Sequence, residues 1–397
     1  MAAKTRSRVQ GGSKAPSDVS LIEKKLATAA TTNGGGIASS ESNKATKGDD
    51  SIANFFVEKQ GLWSGALLFG TFLGGQLGFF NTSKIYQLSY DSSGYSGSFL
   101  PRHEGSDDVR YYRGGSDIYV VLFWILGFTF LRNMVMNYIL MPFARMYGVQ
   151  KPKDLVRFAE QGWLTIYYSI SFPAGLYVMS QCPHWMDTRH FWINYPSDHA
   201  AMPPMMKWYY LIQMGFWFQQ IFVLNIEERR KDFLVMFAHH IVTCMLLVFS
   251  YWMSYTRVGN AVLITMDFAD IWLTLAKCMR YLKIEKPTVY IFSFFVLSWI
   301  YTRHYLYIII MWSAFYESSV YIDLDSWKPE RFSYFNEYVV WGFTALLGLL
   351  QVLLLYWLYL ILKIIYNIVF AWNIDDTRSD TEGDSDDTSA SAKKKTN

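Results

Sequence analysis

The sequence predicts an all-α, polytopic membrane protein with about eight transmembrane helices. Three observations carry this expectation. Hydrophobic residues make up 52% of the 397 positions and aromatic residues 18%. Apolar runs long enough to cross a bilayer, which takes about 20 residues of helix, recur eight times. Charged residues collect at the two ends and in the short segments between the runs. A net charge of +3, scattered along the chain, does not describe a nucleic-acid-binding surface. Cys182, Cys244 and Cys278 form no Cys-x-x-Cys, so neither a disulfide framework nor a thiol redox motif is expected.

Residues 1–55 are rich in Ser, Thr, Gly, Ala and Lys and cannot bury enough apolar surface to fold, so they read as a disordered N-terminal tail. No apolar core of a secretory signal stands near the start. The expected spans are 62–80, 118–140, 161–180, 208–226, 233–255, 258–276, 288–312 and 338–362. The first, fourth and eighth of these contain no charged residue. Residues 56–117 thus hold the first span and a lumenal loop, and 118–370 a seven-span membrane domain.

Basic residues orient the array, because they concentrate on the cytosolic side of membrane proteins. The tail carries Lys4, Arg6, Arg8, Lys14, Lys24 and Lys25. With eight crossings, the same side receives Arg145, Lys151, Lys153 and Arg157, then Arg229 to Lys231, then Lys277, Arg280, Lys283 and Lys286. Both termini are therefore expected in the cytosol. On the other side, Asn81-Thr82-Ser83 is a glycosylation sequon, although its place against a span end disfavours modification. Residues 371–397 form an acidic, disordered cytosolic tail in which Thr377, Ser379, Thr381 and Ser385 are candidate phosphorylation sites. Lys394 and Lys395, fourth and third from the end, resemble a dilysine signal that returns membrane proteins to the endoplasmic reticulum.

Ionisable groups inside spans are costly, roughly 2.5–3.5 kcal/mol each on insertion scales, and mark function. The fifth span holds His239 and His240, and the sixth holds Asp267 and Asp270. Adjacent helical residues diverge by about 100°, so one imidazole can face a reaction while the other packs or orients. Asp267 and Asp270, three apart, share a helical face. Two carboxylates so close in low dielectric require either a shared proton or a neighbouring cation, and the histidines are the expected partners. His239 and Asp270 each lie six residues from the cytosolic end of their spans, roughly 9 Å deep. Arg132 lies in the cytosolic half of the second span, so four polar positions meet in one layer. Arg303 and His304 form a second pair expected nearer the far side, binding a polar head group or pairing with Asp or backbone carbonyls. His103, His184, His190 and His199 lie in soluble loops and are expected at the surface.

From Lys231 onward, the string Lys-Asp-Phe, His239-His240-Ile-Val-Thr, Arg257-Val-Gly, Met266-Asp-Phe-Ala-Asp270, Lys277 and Tyr281-Leu282 closely resembles the Lag motif of the ceramide synthases. These enzymes belong to the TLC-domain family. Phe130-Leu-Arg132, Tyr195-Pro196, Phe216 to Gln220 and Trp299 to His304 extend the resemblance to fungal members, over roughly residues 55 to 370. The resemblance implies a TLC-type catalytic bundle of six helices. It also implies transfer of a fatty acyl group from (very-long-chain) acyl-CoA to the amine of a sphingoid base, giving a ceramide in the endoplasmic reticulum. His239, His240, Asp267 and Asp270 match the family's active-site positions. Arg132, Lys277, Trp299, Arg303 and His304 are candidate substrate-binding residues. Acyl-CoA is a substrate, and neither a cofactor nor a metal is implied. The resemblance further implies a small single-span regulatory subunit and a dimer of catalytic chains among membrane lipids. A di-iron desaturase needs about eight clustered His ligands, whereas this chain has seven His and one adjacent pair. The remaining alternative is a non-catalytic TLC-domain protein that senses lipid or assists translocation. Acyl chain length is not legible.

Overall fold

A computed structural model describes residues 59–77, 110–227, 232–322 and 337–369. The N-terminal tail, Asn81, His103, the basic triplet at 229–231, the candidate phosphorylation sites Thr377, Ser379, Thr381 and Ser385, and Lys394–Lys395 lie outside these residues. Among the described residues the fold is all-α apart from one two-stranded ribbon.

Eight long helices overlap the eight expected spans: α1 (Gln60–Gln76), α2 (Asp117–Met146), α3 (Pro152–Ser180), α4 (Pro204–Ile226), α5 (Phe233–Trp252), α6 (Thr256–Tyr281), α7 (Glu285–Tyr321) and α8 (Glu337–Val369). By length and composition, α2, α5, α7 and α8 are apolar enough to cross a membrane. Lone helices bury little of themselves, and exposed Leu349, Val352, Tyr359 and Leu362 on α8 show a surface suited to hydrocarbon.

Local sequence explains several of the ends. Pro152 and Pro204 stand in the first turns of α3 and α4, where no backbone N–H is needed. Gly148, with φ +85°, makes the sharp exit from α2 that a side-chain-bearing residue resists. Two helices do not keep a simple α period. A π-turn at Met136–Leu140 interrupts α2, and others at Tyr301–Leu306 and Ser313–Glu317 interrupt α7. Such turns rotate the side chains that follow them and recur at functional sites.

Packing joins helices remote in sequence as well as consecutive ones, most extensively α3 with α6. α6 lies between α3 and α7; α5 lies between α4 and α8; α1 rests on α2 at the outside. Close approach sets some of these contacts. A Cβ on Gly215 of α4 would stand 2.6 Å from Trp124 Cβ of α2. At the far end, β1 (Tyr111–Tyr112) pairs antiparallel with β2 (Ala201–Met202). Lys207 fastens this end, bridging Asp117 at 2.9 Å and donating to the Tyr112 carbonyl at 2.8 Å, while Tyr251 Oη donates to Asp117 at 2.6 Å.

The segment between α3 and α4 corrects one expectation. His184 and His199, expected at the surface, are buried at 0% and 3% exposure. This segment folds back over the bundle with Phe191 and Trp192, and Trp192 Nε1 donates to Ser313 Oγ at 2.9 Å. His184 Nε2 lies 3.2 Å from Asn260 Oδ1, and His199 Nε2 donates to the Ile193 carbonyl at 3.1 Å. Burial lowers the His184 imidazole from the ordinary 6.5 to about 4 and His199 to about 3.

Candidate active site

A cavity of about 250 Å³ runs through the middle of the bundle. Helices α3 to α8 wall it, with Arg132 contributed by α2. It is long and narrow. Its lining spans Asp232 to Ser250 beside α5 and Gly259 to Lys277 on α6, each about 27 Å of helix. The near end, where α4 meets α5 and α6 meets α7, is polar: Glu160, Glu227, Asp232, Arg132 and Lys277 stand there. The remainder is mostly apolar, with Leu246, Leu263, Leu347, Leu350 and Leu354 among its residues.

Seven of the nine residues picked out as catalytic or substrate-binding line this cavity: His239, His240, Asp270, Arg132, Lys277, Trp299 and Arg303. Asp267 and His304 do not. Asp267 is turned behind the wall, and His304 Nδ1 instead meets Gln351 Nε2 at 3.0 Å.

The two imidazoles differ in surroundings, as their angular divergence on α5 requires. His240 is buried, and its Nδ1–H donates to the Met236 carbonyl at 2.7 Å. That bond fixes the proton on Nδ1 and leaves Nε2 as the basic nitrogen. His239 sits edge-on between Trp217 and Trp357, with ring centroids 5.8 and 5.1 Å away. Its Nδ1 is buried without a hydrogen-bond partner among the described residues.

The carboxylates do not partner the histidines; among the described residues no hydrogen bond or ion pair joins either His to either Asp. A cation from another helix answers one of them. Arg303 Nη2 lies 2.9 Å from Asp270 Oδ1 and 2.8 Å from the Met266 carbonyl, with its guanidinium 3.9 Å over the Trp299 ring. The π-turn at Tyr301–Leu306 bears this arginine, so α7 presents it toward α6 at the level of the Asp pair, not as a separate site nearer the far side. Asp267, 1% exposed, has different company. Ser171 Oγ donates to its Oδ2 at 2.5 Å, and Gln213 Nε2 reaches the same oxygen at 3.5 Å. Gln213 also donates to Ser171, and Tyr167 Oη donates to Gln213 Oε1 at 2.6 Å. These donors form a chain that ends on one carboxylate oxygen. The physical reason for the split is supply: α3 and α4 bring neutral donors to one side of α6, and α7 brings the only nearby cation among the described residues to the other.

Sequence reasoning missed Ser171, Gln213 and Tyr167, because single hydroxyls and amides in apolar runs stand out less than charges. Gln213 carried a readable signal, being a buried amide mid-span. Reasoning also left out Glu227, which forms an ion pair with Arg132 at the polar end of the cavity, with Gln60 of α1 3.4 Å from the same guanidinium.

Comparison with known proteins identifies the family. A family profile described as TLC domain covers residues 157–363, from α3 to α8. Sphingosine N-acyltransferase lag1 of Schizosaccharomyces pombe is 37% identical over 296 residues, 75% of either chain. Ceramide Synthase FUM18 of Gibberella moniliformis is 34% identical over 319 residues, 74% of either chain. Ceramide synthase LAG1 of Saccharomyces cerevisiae is 35% identical over 287 residues, 71% of this chain and 68% of that one. With its cavity walled by the helices that the profile covers, the chain belongs to the TLC-domain family, among the relatives named as sphingosine N-acyltransferases and ceramide synthases.

Proposed function

We propose that the protein is a ceramide synthase that moves a fatty acyl group from acyl-CoA to the amine of a sphingoid base, with no cofactor. The observation that carries the reading is the convergence of His239, His240 and the Asp270–Arg303 pair on one long cavity, polar at one end and apolar beyond. A water-soluble CoA ester enters at the polar end and lays its chain between apolar helices. Lys277 offers positive charge to its phosphates there, while Arg132 is held in its pair with Glu227.

In the reaction the sphingoid nitrogen bonds to the thioester carbonyl carbon, the carbon–sulfur bond breaks, and CoA leaves as the thiol with the proton lost by the amine. His240, with its lone pair on Nε2, serves as the base that takes this proton. A second route forms an acyl-imidazole first, releasing CoA before the amine attacks. His239, whose Nδ1 has no partner, suits that role. Asp270, held by Arg303, accepts a hydrogen bond from the neutral sphingoid amine, and Asp267 orients its helix turn through Ser171 and Gln213. The regulatory subunit and dimer belong to the same reading, as do eight crossings, cytosolic termini and residence in the endoplasmic reticulum.

Purified protein given acyl-CoA and dihydrosphingosine should form the amide, and His239→Ala or His240→Ala should reduce it by at least ~100-fold. Full activity in both variants refutes the reading. Intact mass after acyl-CoA alone separates the routes. An added acyl mass lost in His239→Ala supports the covalent one, and no added mass supports direct attack.

A further inference from the structure

The apolar arm of the cavity has a floor. Beside α5 the lining ends at Ser250, beside α6 at Gly259 and beside α8 at Phe343. Tyr210 Oη and Ser250 Oγ hydrogen-bond there, and Ser250 Oγ donates onward to the Leu247 carbonyl at 3.1 Å, so no polar group is left to the chain end. Tyr210, Ser250 and Phe343 are 0%, 1% and 2% exposed, and the buried Tyr255 ring stands 5.2 Å from Phe343 on the far side of it. Space is already exhausted: a Cβ on Gly259 would lie 1.8 Å from Tyr210 Oη.

The depth of this arm follows from helix rise. His239 to Ser250 is 11 residues, as is Asp270 to Gly259, and each spans about 17 Å. Trp357, which touches His239, stands 14 residues from Phe343, or about 21 Å. A staggered carbon chain with bonds of ~1.5 Å advances about 1.25 Å per carbon, so the arm holds roughly 13–17 carbons beyond the histidines.

We infer that Tyr210, Ser250, Gly259 and Phe343 form the stop that sets acyl chain length, selecting acyl-CoA of about 16 carbons over acyl-CoA of 24 or 26. The inference rests on the acyltransferase reading and departs from the very-long-chain donor that the family resemblance implies. A chain of 26 carbons needs about 31 Å, some 10 Å more than the arm provides. Phe343→Ala removes the floor of α8, and Leu347→Phe raises it by one helical turn, about 6 Å or five carbons.

The test is a panel of acyl-CoA donors from C12 to C26 with dihydrosphingosine, read as the ratio of amide products within each protein. The native enzyme should favour C16 over C24 and C26 by roughly tenfold or more, the scale at which a closed apolar pocket discriminates. Phe343→Ala should move the optimum to longer chains and Leu347→Phe to shorter ones. Ratios within one variant are independent of how much of it folds, and either variant suffices. Turnover of C26 as fast as C16 by the native enzyme, or an unchanged profile in an active variant, overturns the inference. Absence of amide from every donor sinks the acyltransferase reading and the stop with it.

Discussion

Replacing Arg303 by Met tests how the buried charges are balanced. Arg303 and Asp270 have side chains 5% and 20% exposed and meet at 2.9 Å. Removing one member of a buried pair strands the other, at a cost of about 3–5 kcal/mol. Some water reaches Asp270 through the cavity, which places this site toward the lower figure. Loss of the guanidinium from the Trp299 face adds about 1 kcal/mol. Arg303→Met is therefore expected to destabilise by about 4 kcal/mol. Asp270→Asn strands Arg303 instead, although the Met266 carbonyl still accepts from it, and should cost about 2–3 kcal/mol. The double variant removes both charges and should cost less than the sum by about 1–3 kcal/mol, the coupling typical of contacting residues. The measurement is reversible unfolding of all four proteins in mixed micelles. Additivity within about 0.5 kcal/mol would refute the claim that Arg303 neutralises Asp270.

Other consequences can be checked separately. Ser171→Ala leaves Asp267 Oδ2 with only the long Gln213 contact, so kcat should fall by about 10- to 100-fold, equivalent to 1–3 kcal/mol of lost hydrogen bonding, with KM nearly constant; an unchanged kcat would remove Asp267 from the working site. His184 and His199 are held neutral by burial, with values near 4 and 3 against 6.5 for the ordinary imidazole. Below pH 6.5 the unfolded chain binds protons that the folded one refuses, so stability falls with pH, by about 2 kcal/mol per histidine at pH 5. Thermal melts that stay constant between pH 7 and 5 would contradict that burial. Gly215→Ala forces a methyl against Trp124 and should cost about 1–3 kcal/mol in the same unfolding assay, whereas a neutral result would mean α2 and α4 are not packed at this point.

The sequence by itself determined the long helices, because runs of about 20 apolar residues leave the backbone no other way to satisfy its hydrogen bonds in hydrocarbon. It also determined which residues to suspect, since His239, His240, Asp267 and Asp270 are expensive where they stand. Tertiary structure decided their partners. Asp267 and Asp270 share a face of one helix, yet α3 and α4 bring Ser171 and Gln213 to the first, and α7 brings Arg303 to the second. No periodicity reveals this, since Arg303 stands within a π-turn of α7, where the regular helical period does not hold. His184 and His199 make the same point from outside the spans. Polar loop residues read as surface until the loop folds over the bundle and finds Asn260 and the Ile193 carbonyl for them. Spacing along one chain fixes angle and depth within a helix; which neighbour stands across from it depends on how the helices pack.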